Sequence, residues 1–204
     1  MKKLVVLLLV SLMATSAFAV IDPDPNMMGI YFDTNADNNC LTTPASVPFF
    51  AYLVLTNTTA PAINAYECGI VNVVPAGMEG MLFRLSSNIA NGVVSGVDVG
   101  TNGPLGGDYI VGLAGAGLPA SPAVILHSWQ YMLLASFPVE MYLGASSKPS
   151  IPGVYPVVQN AEGSILFQCG QSTGGPETPV ATVNTDCVVG VEEASFGSVK
   201  SLFR

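Results

Sequence analysis

Short apolar runs, several alternating with polar positions in period two, recur along the chain and are parted by Gly, Pro, Asn and Ser. In order they read "GIYFD", "VPFFAYLVLTN", "AINAYECGIVNV", "GMLFRLSS", "GVVSGVDVG", "DYIVGLAG", "AVILHSWQYMLLASF", "VEMYLGAS", "VYPVVQ", "SILFQCG" and "TPVATVN". In the second run Phe50, Tyr52 and Val54 fall on one side of an extended chain, and Ala51, Leu53 and Leu55 on the other. Val, Ile, Tyr and Phe inside the runs and turn residues between them predict strands. The longest run, "AVILHSWQYMLLASF", admits a helix bracketed by Pro122 and Pro138, but Val124, Ile125, Trp129 and Tyr131 fit a buried strand better. Ten or so short strands with these turns predict an all-β fold, an antiparallel β-sandwich. The runs show no fixed-period repeat.

Composition supports a packed domain: half of the 204 residues are hydrophobic, 10% are charged, and Gly (21) and Pro (15) are plentiful. Both ends depart from the strand pattern. "MKKLVVLLLVSLMATSAFAV" places Lys2 and Lys3 before a short apolar run and a small-residue site ending at Ala19, the form of a cleaved signal peptide over residues 1–19. The run is short for a membrane span and is interrupted by Ser11, Thr15 and Ser16. Residues 20–189 then make up the sandwich domain, and 190–204 an amphipathic C-terminal helix or tail. There Glu192 and Glu193 precede Lys200 and Arg204, and Phe196, Val199 and Phe203 share a face, with Gly197 weakening an isolated helix. The expected location is secreted, periplasmic or cell-surface, with no stable membrane span after cleavage. The net charge is −8, and −10 once the leader and its two lysines are removed. That balance repels phosphate backbones and excludes nucleic acid as a partner.

Export changes the meaning of the four cysteines. Oxidation is expected for Cys40, Cys68, Cys169 and Cys187. Three connectivities are open; 40 with 68 and 169 with 187 is the expected one, each tie contributing roughly 3 kcal/mol if unstrained. Zinc is disfavoured, since there is no CxxC and His127 is the only histidine.

Candidate chemistry is sparse. His127 and Ser128 are neighbours on an expected strand and point to opposite faces, so they do not form a nucleophile and base, and no GxSxG elbow is present. Glu67, Glu79, Asp98, Asp108, Glu140 and Glu162 are numerous enough for a carboxylate-dependent hydrolase, but none stands in a recognisable context. "GLAGAGLPAS" lacks the Lys of a phosphate loop. Sugar binding would need an exposed aromatic platform; Trp129 lies in an apolar run and reads as core, and spacing does not select a row among the seven tyrosines. Asp33, Asn35 and Asp37 alternate as calcium ligands do, yet Pro44 stands where the loop should offer its bidentate Glu. A polar turn is the preferred reading of "DTNADNN". No cofactor is expected, with calcium at Asp33, Asn35 and Asp37 as the minority alternative.

The succession of a short first strand, "VPFFAYLVLTN", "YECGIVNV" and many short strands resembles cohesin-type and related carbohydrate-binding β-sandwiches. The resemblance implies a cohesin/Ig-like or jelly-roll sandwich over most of the mature chain. "MGIYFDTNADNNC", "VEMYLGASSKPSIPG" and "SFGSVKSLFR" are similar to an uncharacterised group of exported bacterial proteins. Their tails end in an aromatic-Gly-x-x-Lys-x-Leu-aromatic-Arg pattern, matched here by Phe196, Gly197, Lys200, Leu202, Phe203 and Arg204. The resemblance implies export and a shared architecture only; with no catalytic motif in the chain, the expected function is that of an exported, non-catalytic protein acting in binding, adhesion or envelope surface structure. Its expected partner is a protein or polysaccharide of the cell envelope or exterior. The alternatives are a secreted carboxylate-dependent hydrolase and a calcium-dependent carbohydrate-binding module.

Overall fold

The computed structural model describes residues 24–185. The expected signal peptide, the expected tail and Cys187 lie outside the described residues. The strands are β1 (Met27–Tyr31), β2 (Cys40–Leu41), β3 (Phe49–Thr56), β4 (Ala62–Val73), β5 (Leu82–Ile89), β6 (Gly96–Asp98), β7 (Asn102–Gly103), β8 (Gly106–Leu113), β9 (Leu118–Pro119), β10 (Ala123–Leu133), β11 (Val139–Gly144), β12 (Val157–Asn160), β13 (Leu166–Gln168), β14 (Gly170–Gln171) and β15 (Ala181–Val183).

They form two sheets. The smaller runs β14-β1-β3-β10-β5. The larger is built around β4, whose length lets it pair with β8 and the short β9, with β12 along its first half and with β11 along its second. Beyond β8 lie β6 and β7; beyond β12 lies β13; beyond β11 lie β15 and β2. The expected sandwich is therefore present. Pairing is antiparallel except at two short edge contacts, β1 with β14 and β15 with β2. The run holding Trp129 is a strand, as its β-branched and aromatic content required.

Period-two alternation sends Leu53, Leu55, Trp129 and Tyr131 from one sheet, and Tyr66, Ile70, Tyr109, Val111, Met141 and Leu143 from the other, into a single buried core. A small second cluster lies apart: Tyr31 and Val54 are covered by Ala36, which sits at the tip of the "DTNADNN" turn with φ of 63°. The turn thus has a packing role, laying a small apolar side chain on the outer face of the smaller sheet.

The cysteines correct the expected staples. Cys68 and Cys169 are buried free thiols, whereas Cys40 is disulfide-bonded. A Cys40–Cys68 bridge is not made, and register shows why. Cys40 lies opposite Thr182, which shares a row with Glu140 and Val73. Cys40 is thus three strand spacings from β4, roughly 14 Å, and level with a residue five positions beyond Cys68. Disulfides require Cα atoms within about 7 Å. Cys169, expected to pair with Cys187, is free, and Cys187 lies outside the described residues. Burial pushes the Cys169 thiol up to about 12 and raises that of Cys68 further. Alkylation of the native protein is therefore expected to spare both thiols, and alkylation after denaturation without reductant to label both. A non-reducing peptide map should leave the Cys40 peptide cross-linked.

Candidate functional site

The outer face of the larger sheet carries a shallow trough of about 390 Å³. Its floor follows from register. Val97 on β6 pairs with Gly112 on β8, Gly112 with Ala65 on β4, Ala65 with Gln159 on β12, and Gln159 with Leu166 on β13. Paired residues share a face, so these five make one row across five strands. Gly112 and Ala65 keep it low, Gln159 adds one amide, and apolar side chains stand at its ends, where Val97 is 66% and Leu166 45% exposed. The next row holds Ile110, Glu67 and Val157, with Val99 beside Ile110.

A strap, residues 145–156, borders this trough. β11 leaves the edge of β4 at Gly144, opposite Gly69, and β12 rejoins the same edge at Val157, opposite Glu67. Between them the chain loops over the outer face. The Ala145 N–H donates to the Val154 carbonyl at 2.9 Å, closing its base. Two carboxylates hold it down. Glu67 Oε1 accepts the Ser150 N–H at 2.6 Å, and Oε2 accepts the Ser150 hydroxyl at 2.9 Å. Asp108 Oδ1 accepts the Ser147 N–H at 2.8 Å, and its other oxygen accepts the Ser147 hydroxyl. Gly69 permits the approach, since a Cβ there would stand 2.4 Å from the Ala145 carbonyl oxygen. Glu67→Ala leaves two donors of the strap without their acceptor, an expected cost of about 2 kcal/mol. Faster amide exchange confined to 145–156 would report it.

The carboxylates considered for glycoside hydrolysis are dispersed. Glu67 lines the trough and is engaged by Ser150; Asp108 holds Ser147. Glu140 accepts the Tyr142 hydroxyl at 2.8 Å, and Glu162 accepts from Asn160 at 2.8 Å. Asp98 is tied to backbone: Oδ1 accepts the N–H groups of Gly100 and Ile110, while Oδ2 accepts the Asn102 amide. Glu79 lies in a short 3-10 turn. No second carboxylate joins Glu67 in the trough lining.

His127 does meet a serine, but not its neighbour. Ser87 Oγ lies 2.8 Å from Nε2, and the Tyr66 hydroxyl 2.8 Å from Nδ1. Ser87 arrives because β5 pairs with β10, placing Ser87 opposite Trp129 on the inner face. The resulting line has a nucleophile and a base, but its third member is a phenol whose pKa burial raises, not a carboxylate able to balance an imidazolium. Burial lowers His127 from 6.5 to about 4, with Asp98 opposing and Arg84 assisting. Neither the trough nor a smaller apolar cleft beside Val124 reaches Ser87. Tyr66 and His127 are buried while Ser87, on the edge strand, is exposed, so the cluster reads as a polar brace that runs from the core to the sheet edge. Arg84 extends it, donating to Asn102 Oδ1 at 2.7 Å and to the Tyr109 hydroxyl at 2.8 Å, so the edge of one sheet is joined to the other.

At the calcium candidate, Asp33 Oδ1 accepts the N–H groups of Asn35 at 2.8 Å and Asp37 at 3.1 Å. This is the geometry of a self-capped turn. Among the described residues no group of three or more His, Cys, Asp or Glu side chains is placed to hold a metal. No helix among them is long and apolar enough to cross a membrane.

Sequence reasoning missed the strap, the row ending in Val97 and Leu166, and Ser87. Only the strap left a trace, the Ser/Pro-rich "SSKPSIPG" between two strand runs.

No family model and no curated protein sequence matches this chain. Solved structures do. The type II cohesin dyad from the adaptor ScaA scaffoldin of Acetivibrio cellulolyticus aligns with a TM-score of 0.51 and 14% identity, over 79% of this chain and 49% of that one. The sixth cohesin of scaffoldin B from the same organism, solved in complex with a Cel5 dockerin, gives a TM-score of 0.49 and 10% identity, over 80% of this chain and all of that one. A non-cellulosomal cohesin from the archaeon Archaeoglobus fulgidus gives 0.45 and 11%, over 84% and 96%. At such identities the likeness, carried by the first, establishes a cohesin-like β-sandwich and nothing finer.

Proposed function

We propose that this protein is an exported, non-catalytic binding module that holds a protein of the cell envelope or exterior against the outer face of its larger sheet. The observation that carries the reading is the five-strand row from Val97 to Leu166. Its apolar ends are exposed, its middle is recessed at Gly112 and Ala65, and a carboxylate-pinned strap borders it. Scattered exposed apolar residues need no explanation, but a contiguous row on rigid strands rimmed by polar groups matches the anatomy of a protein contact surface. The cohesin-like fold supports the reading as an analogy of scaffold.

Ala65→Arg tests it by placing a long cation in the middle of the row. Immobilised mature protein is offered an envelope protein extract of the source organism, and retained proteins are identified. The expected result is one partner retained by the wild type and held roughly tenfold or more weaker by the variant, with unchanged thermal unfolding. Equal retention by both, or retention of polysaccharide alone, overturns the assignment.

A further inference from the structure

We infer that the outer face of the smaller sheet, opposite the trough, is a second binding surface that takes a neutral polysaccharide by stacking of pyranose rings. This goes beyond the protein contact and uses different strands. Phe50 and Tyr52 lie two apart on β3, both on the outer face, with rings stacked at 6.2 Å between centroids and 18° between planes. Phe50 is 46% exposed. Two near-parallel rings held on a rigid strand, the outer one exposed, offer an aromatic face to the apolar side of a sugar, since aromatic faces accept flat partners without reorganising.

The flanking side chains are of the kind that reads ring hydroxyls. Phe50 pairs with Gln130 on β10, and Gln130 with Ser86 on β5; Tyr52 pairs with Ser128, and Ser128 with Asn88. Each aromatic is thus continued across two strands by neutral amides and hydroxyls, which both donate and accept. Ser128 supplies an independent sign. It is 1% exposed and its hydroxyl has no hydrogen-bond partner among the described residues, an arrangement that buried polar groups rarely keep. A ligand hydroxyl seated between Tyr52 and Asn88 completes that row.

Charge selects the ligand class. The chain carries a net charge of −8, yet neither row contains a carboxylate, ammonium or guanidinium. A neutral polyol needs none, whereas an acidic polymer would meet no cation here.

Affinity electrophoresis in native gels containing hydroxyethylcellulose, xylan or galactomannan tests the inference. Wild-type protein is expected to be retarded by at least one of them, and Phe50→Ala and Gln130→Ala to lower that affinity by about tenfold each. Leu166→Asp, on the other sheet, should leave retardation unchanged, which separates this surface from the proposed protein contact. Absence of retardation in all three gels, or retardation that both variants retain, overturns the inference. So does equal retardation by polygalacturonate, or a Phe50→Ala effect that proves to be only conversion of a dimer to a monomer.

Discussion

Trp129→Ala is expected to destabilise the fold by about 4 kcal/mol. Trp129 is 1% exposed and sits where the two sheets meet. Its ring stacks on His127 at 4.9 Å and 26°, meets Tyr109 edge-on at 5.3 Å and 70°, and lies 6.3 Å from Tyr131. Truncation removes the transfer free energy of a large ring and leaves a cavity whose walls belong to two rigid sheets and collapse little. The indole N–H, however, has no partner among the described residues. Trp129→Phe therefore removes an unsatisfied donor together with some volume, and its cost should be less than half that of alanine. Urea unfolding followed by far-UV circular dichroism, with m unchanged and the midpoint shifted, distinguishes the two variants.

Stability is expected to fall on the order of 3 kcal/mol as pH is lowered from about 6.5 to about 4, from His127 alone. Burial holds its imidazole neutral, lowering the folded value from 6.5 to about 4. Between those values the unfolded chain binds the proton and the folded one does not, so acid favours unfolding. The contribution is complete above the unfolded value, is lost as pH falls towards the folded one, and stays lost below it. Carboxylates titrate nearby, so the reading is a difference: His127→Gln should show a shallower dependence of unfolding free energy on pH over this window. Identical slopes for wild type and variant contradict a buried neutral histidine.

These two residues also show what the sequence made legible. The run around Trp129 declared a strand through Val124, Ile125 and Tyr131, and period two assigned Trp129 and His127 to one face and Ser128 to the other. Strand reading also found all of Ala62–Val73. What it missed depends on partners far along the chain. Ser87 meets His127 only because β5 and β10 pair in one register, with an irregularity between Gln130 and Tyr131. The strap cannot be foreseen from "SSKPSIPG" alone, since its position is set by Glu67, by Asp108 and by the missing side chain of Gly69. For the cysteines, proximity in sequence does not translate into proximity in space. Cys40 and Cys68 are separated by the width of β11 and β15, strands that come later in the chain.

The same logic explains the loop that looked like a metal site. Alternating Asp33, Asn35 and Asp37 satisfy a ligand pattern in one dimension, but in the fold one Asp33 oxygen caps two backbone N–H groups. The turn carries Ala36 onto Tyr31 and Val54. The trough behaves in the opposite way: none of its residues forms a motif, and only pairing across five strands assembles it.

Its role is most directly measured by site-specific photocrosslinking. A photoreactive phenylalanine analogue is placed singly at Val97, at Leu166 and, as a control, at Glu79, and each protein is irradiated with the envelope extract. Adducts of one and the same protein from the Val97 and Leu166 positions, and none from Glu79, are the expected result. No adduct from either trough position, or equal adducts from all three, contradicts the assignment of this face as the contact surface.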